Sequence, residues 1–271
     1  MARRKKLGFA LGSGGARGVA HIGFLQAMEE AGIKPDYISG CSMGSVVGMA
    51  YAAGITPEEM KEKVFSLKML DLIDVTKRPG GLFDTRKIRT LLMKYVGDPD
   101  FKDLKIPFVC VAVDLRSQSV VELKEGKVLD AVIASSSIPG IFKPTERDEM
   151  RLIDGGVLER VPVKALAHIG SKSKKIVAVD VLGQKECRSK CPNAIGMMLD
   201  VFDIMDNHRT TRCKNDHHNH IDLWLEPDLG HMSQYSLKGV RTAYEKGYEI
   251  GKANVENIQN MIKYESVERN E

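Results

Sequence analysis

Asp36-Tyr37-Ile38-Ser39-Gly40-Cys41-Ser42-Met43-Gly44-Ser45 is the stretch that decides the fold. Asp36–Ser39 reads as a strand, and Met43–Ala53 reads as a helix of small residues closed by Gly54. Between them, Gly40 to Gly44 spells G-x-S-x-G. A serine at such a strand-to-helix turn is held in a strained backbone with its hydroxyl exposed at the sheet edge. Gly40 and Gly44 leave room where side chains would collide across the turn. The positive N-terminal end of the helix points at Ser42 and favours negative charge there. Taken alone, the pattern fits a glycine-rich turn without a catalytic serine equally well.

Working outward, strand-length apolar runs alternate with helical patterns. Strands are expected at Leu7–Leu11, Phe108–Asp114, Val120–Leu123, Arg151–Asp154, Lys175–Leu182 and Ile221–Leu225. Helices are expected at 17–31, from Thr56 to about Leu67, at Thr85–Tyr95, 127–135, 193–213 and 236–264. This alternation predicts an α/β protein, a three-layer α/β/α arrangement around a mainly parallel central sheet. No linker or repeat interrupts the 271 residues, so one domain is expected over 1–271. Its motif core covers about 5–180, and C-terminal helices and a last strand fill 181–271.

Gly12-Ser13-Gly14-Gly15-Ala16-Arg17-Gly18 links the first strand to the first helix. Such a loop aims backbone N–H groups at one anion, either a nucleotide phosphate or an oxyanion. The nucleotide readings fit poorly. No Gly-Lys-Ser/Thr occurs, and Arg17 breaks the G-x-G-x-x-G fingerprint, although Asp36 lies at a tempting distance for a ribose contact. The oxyanion hole is the favoured reading. Further on, Ile153-Asp154-Gly155-Gly156 puts a carboxylate at a strand end, where it can reach a neighbouring strand-end serine or form a plain Asp-Gly turn.

In this order the three motifs resemble the patatin-like phospholipase family, and its compact bacterial members most. The matching positions are Gly14, Gly15, Arg17 and Gly18, with Gly12 in support, then Gly40, Ser42 and Gly44, then Asp154 and Gly155. The resemblance covers about 5–180 and departs at Ser13, where a glycine is frequent. It implies a Ser–Asp dyad, with Ser42 the nucleophile and Asp154 the proton acceptor. It also implies oxyanion donors at Gly14 and Gly15 and an acyl-ester hydrolase acting on phospholipid, lysophospholipid or related fatty-acyl esters. From the residues alone a Ser-His-Asp triad stays open, with His168, His208, His217, His218, His220 and His231 as candidates.

Arg17 is read as fixing the oxyanion loop rather than anchoring a lipid phosphate. Ser135-Ser136-Ser137-Ile138-Pro139-Gly140 is read as an ordinary helix end. Cys187, Cys191 and Cys213, with His208, His217, His218 and His220, have unusual spacing for a metal site, so no metal or cofactor is expected. Met197, Met198, Leu199, Phe202, Ile204 and Met205 are read as helix core rather than acyl-pocket lining.

Net charge is +4, with 43% hydrophobic and 28% charged residues, an ordinary globular balance. No nucleic-acid motif occurs. No apolar stretch nears the ~18–20 residues that span a bilayer. The expected location is therefore the cytoplasm, with transient contact at the inner membrane surface. Nothing in the sequence bears on oligomeric state. Competing functions are a non-catalytic lipid- or acyl-binding regulatory module and a small-ester or thioester esterase.

Overall fold

The computed structural model describes residues 4–68, 84–183, 194–216 and 220–263. The strands are β1 (Leu7–Leu11), β2 (Tyr37–Cys41), β3 (Phe108–Asp114), β4 (Ser119–Leu123), β5 (Thr145–Arg147), β6 (Met150–Asp154), β7 (Lys175–Val179) and β8 (Leu223–Leu225). The helices are α1 (Val19–Glu30), α2 (Met43–Ala53), α3 (Pro57–Ser66), α4 (Arg86–Val96), α5 (Val128–Ser135), α6 (Val163–His168), α7 (Ala194–Asn215), α8 (Val240–Ala253) and α9 (Val255–Ile262). Every residue of β1 and β3 is buried, as unbroken apolar runs covered on both faces must be.

The hydrogen-bonded path through the sheet is β5-β6-β3-β2-β1-β7-β8, with β4 also paired to β3. β3, β2, β1, β7 and β8 are parallel, while β4 and β6 run antiparallel to β3. The register contains one decisive feature. Cys110 and Val111 pair with both β2 and β4, whereas Ala112, Val113 and Asp114 pair with both β4 and β6. A strand has two edges, so β2 and β6 share one edge of β3. They meet there head to head, β2 ending at Cys41 opposite Val111 and β6 ending at Asp154 opposite Ala112.

Alternation along β1 explains the two helical layers. Leu7, Phe9 and Leu11 face the larger core with α1, α2 and Ala243 of α8. Ala10 faces the smaller core with Val163 and Leu166 of α6. Phe9 meets Phe24 edge to face at 5.0 Å between ring centres. The expected three-layer α/β/α fold is therefore the one observed.

Two elements were not anticipated. β5 has three residues and joins β6 through a turn with Asp148 at φ 53°. α6 has six residues, too few to print a helical period. The helix expected from residue 17 opens instead as a 3₁₀ turn over Gly15–Gly18. No helix among the described residues is long and apolar enough to cross a membrane.

α1 and α8 are packed backbone to backbone. A Cβ on Gly23 would lie 2.0 Å from the Tyr244 carbonyl oxygen, and one on Gly247 would lie 1.9 Å from that of Ala20. Gly247→Ala must push the helices apart. The expected cost is ~1–3 kcal/mol, read as a Tm lower by about 3–10 °C in calorimetry. An unchanged Tm would mean the helices do not pack this closely.

Candidate active site

The serine turn is built first by steric fit. A Cβ on Gly44 would lie 2.1 Å from the Leu11 carbonyl oxygen, so only glycine lets the start of α2 press onto the end of β1. Ser42, between β2 and α2, takes φ 51° and ψ −121°. A non-glycine residue held there stores ~1–3 kcal/mol and persists only where its surroundings over-determine it. Those surroundings are visible. The Ser42 N–H donates to Ser135 Oγ at 3.0 Å. Its carbonyl accepts from Ser45 Oγ at 2.6 Å and from the amides of Ser45 and Val46 at 2.8 and 3.1 Å.

Asp154 arrives from the other side of the β2–β6 junction. Its N–H donates to the Ser137 carbonyl at 2.9 Å, and its Oδ1 accepts from the Gly156 N–H at 2.8 Å. The Ser42 hydroxyl lies near enough to the same carboxylate to favour its charged form, and the Cys41 thiol stands 3.9 Å from Oδ1. Burial pushes the Asp154 carboxyl up to about 6, aided by the charge of Asp206 and opposed by the Ser42 and Gly156 hydrogen bonds. Gly155 follows with no room for a side chain, since a Cβ would lie 2.4 Å from the Val111 carbonyl oxygen.

The glycine loop closes the third side. Gly12 N–H donates to Val179 O, Ser13 N–H to Arg160 O, Ala16 N–H to Gln234 O and Arg17 N–H to Gly14 O, all at 2.9–3.0 Å. Among the described residues, the amides of Gly14 and Gly15 donate to no protein acceptor. Gly15 has φ 50°, and a Cβ there would also strike the Gln234 carbonyl oxygen at 2.3 Å. Gly18 abuts Met43 at the start of α2, and Gly40 abuts Ser45. Gly14, Gly15, Ser42 and Asp154 line one cleft of ≈ 100 Å³ together with Ile138 and Tyr235. A larger hollow of ≈ 560 Å³ lies beside Phe108, at the opposite end of β3, and contains none of these residues.

Arg17, expected to fix the glycine loop, directs its side chain to backbone carbonyls outside that loop. Its buried guanidinium donates from Nε to Val181 O at 2.8 Å and from Nη1 to Met232 O at 3.2 Å. Asp36 is also structural, accepting from Arg4, Lys6 and the Leu7 N–H at 2.7–2.9 Å. Two supports escaped the sequence reading. His21, fully buried and with its pKa lowered to about 4, is neutral and donates Nε2–H to Gly12 O at 2.8 Å. Arg160 joins Asp180 at 2.7 Å with Asp206 and Asn207 at 2.7 and 2.9 Å. It thereby ties β7 and the loop to α7. Neither stands in a motif. Their only sequence signal is a charged or titratable residue amid apolar ones.

Three readings need correction or limits. Ser135–Gly140 is not merely a helix end. Ser135 holds Ser42, the Ser137 carbonyl holds Asp154, and Ile138 and Pro139 line the cleft. Met197, Ile204 and Met205 are not core but exposed, on the side of α7 away from Asp203, Asp206 and Arg209, which line the cleft, while the side chains of Met198, Leu199 and Phe202 lie outside the described residues. Of the triad candidates, His168, His208, His220 and His231 are exposed and none lines the cleft, whereas His217 and His218 lie outside the described residues. Cys187 and Cys191 lie outside them too. Among the described residues no cluster of His, Cys, Asp or Glu is placed to hold a metal.

Ser135→Ala strips the buried Ser42 N–H of its acceptor. We expect a loss of ~1–3 kcal/mol in chemical denaturation, together with slower reaction of Ser42 with a serine-directed fluorophosphonate. Unaltered labelling kinetics would show that Ser135 does not hold the turn.

Residues 9–167 match the family described as patatin-like phospholipase. An uncharacterized NTE family protein of Mycobacterium tuberculosis is 36% identical over 196 residues, 72% of this chain and 54% of that one. Neuropathy target esterase of Drosophila melanogaster is 32% identical over 188 residues, 66% of this chain and 13% of that protein. The chain thus spans about half the length of the mycobacterial relative and a small part of the fly one. Among solved structures, VipD from Legionella pneumophila has a TM-score of 0.67 at 12% identity, covering 94% of this chain and 68% of that one, a likeness of fold. The glycine loop from Gly12, the Ser42 turn and the Asp154-Gly155 pair all fall within the matched residues, and the chain belongs to the patatin-like phospholipase family.

Proposed function

We propose that this chain is a serine hydrolase of fatty-acyl esters that works through a Ser42–Asp154 dyad. One observation carries the reading: a strained serine and a buried carboxylate of raised pKa meet where two strands abut, beside two amides that have no acceptor among the described residues. Family membership and relatives named as esterases, or as a lysophospholipase in Coccidioides immitis, support the substrate class.

The proposed steps use only these groups. Ser42 Oγ attacks the ester carbonyl as its proton passes to Asp154. The tetrahedral oxyanion is held by the N–H groups of Gly14 and Gly15 and by the positive end of α2. Collapse breaks the ester C–O bond, and the proton on Asp154 goes to the departing alcohol. Water then gives a proton to Asp154 and attacks the acyl-enzyme. The acid leaves, and the proton returns to Ser42. A base near 6 is ionised at neutral pH yet still accepts a proton as the serine reacts.

A second reading rests on the cleft. At ≈ 100 Å³ it falls below the ~300–1,000 Å³ of ordinary ligand pockets and, with α7 in place, favours short acyl groups. A chain-length series of nitrophenyl esters separates the two. A rate falling steadily beyond butyrate would favour a small-ester esterase.

Fluorophosphonate labelling followed by peptide mapping is expected to mark Ser42, to vanish in Ser42→Ala and to weaken in Asp154→Asn. Absence of label on folded protein would remove the hydrolase reading. Because the base must be ionised, kcat/KM is expected to fall tenfold per pH unit below about 6 and to level off above it. A profile flat down to pH 5 would exclude Asp154 as a base with this pKa.

The same shift carries a stability sign. A carboxyl whose pKa is raised in the folded state binds its proton more tightly there, so stability falls as pH rises from its unfolded value through about 6. Asp154→Asn is therefore expected to melt higher than the parent at pH 8, with the gap shrinking below pH 4. An equal or lower Tm at pH 8 would contradict a buried, costly carboxylate.

A further inference from the structure

α7 presents polar residues to the cleft and a row of apolar ones to solvent. Its inner side carries Asp203, Asp206 and Arg209, which line the cleft, and Asp206 is held by the buried Arg160. Its outer side carries Met197, Val201, Ile204 and Met205, all between 47% and 55% exposed. Offsets of four, seven and eight residues from Met197 put them on one stripe, opposite Asp206 at about 3.6 residues per turn. Four large apolar side chains aligned in water are a surface made to be covered. His208 and Arg212, both exposed, continue the same stripe one and two turns further. Tyr235, also exposed, stands on the cleft wall.

We propose that the outer face of α7 docks on the surface of a lipid aggregate, with Met197, Val201, Ile204 and Met205 entering the apolar boundary and Arg212 meeting anionic headgroups. This rests on the acyl-ester reading above and deepens it, since it says in what physical form the substrate is met. Two features select a lipid surface over a second copy of the chain. The apolar stripe runs on to the exposed cation Arg212, a pairing that an anionic lipid boundary rewards. The same helix also lines the cleft with its other side, through Asp203, Asp206 and Arg209, so a surface met by the stripe sits against an element of the cleft wall. Long-chain esters live in such aggregates, and the cleft beneath α7 is too small to draw in a whole lipid from water.

The test is flotation of Ser42→Ala protein with vesicles of phosphatidylglycerol and phosphatidylcholine, with and without Ile204→Gln plus Met205→Gln. These exposed positions touch neither Ser42 nor Asp154. The expected result is vesicle binding weakened roughly tenfold or more by the double change. On the Ser42 background, hydrolysis of a water-soluble acetyl ester and fluorophosphonate labelling should stay within about twofold. Equal flotation of both proteins, or none by either, would overturn the docking proposal while labelling left the hydrolase reading standing. A dimer in sedimentation that the double change dissociates would assign the face to a second copy and overturn it as well. Flotation lost on the double change in a protein that never labels would retain docking and discard the hydrolase.

Discussion

The site depends on one constraint of strand pairing. β3 is longer than either neighbour on its inner edge, so β2 occupies the first part of that edge and β6 the second. Two strands that share an edge and run toward each other must end at the same point. One ends in the serine turn and the other in Asp154. The contact between them is therefore set by backbone hydrogen bonds, the least adjustable part of the fold, and not by flexible side chains. Gly155 belongs to the same constraint, because β6 leaves the edge immediately beside the Val111 carbonyl.

What holds this junction is costly in itself. Ser42 sits at positive φ and Asp154 is a carboxyl denied water. Each is destabilising alone, and each is made tolerable by the same short segment at the end of α5. Ser135 Oγ accepts from Ser42 and the Ser137 carbonyl accepts from Asp154. The opposite wall is tied just as tightly. Arg17 spends its guanidinium on carbonyls, and neutral His21 caps Gly12. With the neighbouring amides of the loop consumed, those of Gly14 and Gly15 are left facing the cleft. Strain here is offset by packing elsewhere, such as the α1–α8 glycine seam.

The sequence made part of this legible and hid the rest for physical reasons. β1, α2 and β3 could be read to the residue, since an unbroken apolar run or a small-residue helix with a terminal glycine has few alternatives. Ser42, Asp154 and the loop were visible because steric rules tie glycines to their places. The antiparallel arrival of Asp154 was not visible, because pairing direction leaves no mark on a five-residue strand. Ser135 and Ser137 were passed over since a serine at a helix end has many local uses. His21 and Arg160 act through buried hydrogen bonds to residues far away in the chain, and no local pattern encodes those. α7 was misread at Met197, Ile204 and Met205 for a different reason. Apolar residues at helical spacing ordinarily face a core, and these three face outward.

That inversion follows from the chemistry of the cleft wall. A helix laid over a carboxylate-bearing cleft has to present groups that can be satisfied there, which is why Asp206 and Arg209 point in and Arg160 holds Asp206. Asp206 in turn helps keep the Asp154 proton affinity high. The inner face of α7 thus bears on Asp154, while Met197, Val201, Ile204 and Met205 lie on its outer face. A helix built this way couples two environments. The outer stripe therefore belongs to an element whose other side lines the cleft, held there in part by a buried arginine that also binds Asp180 and, through its carbonyl, the N–H of Ser13.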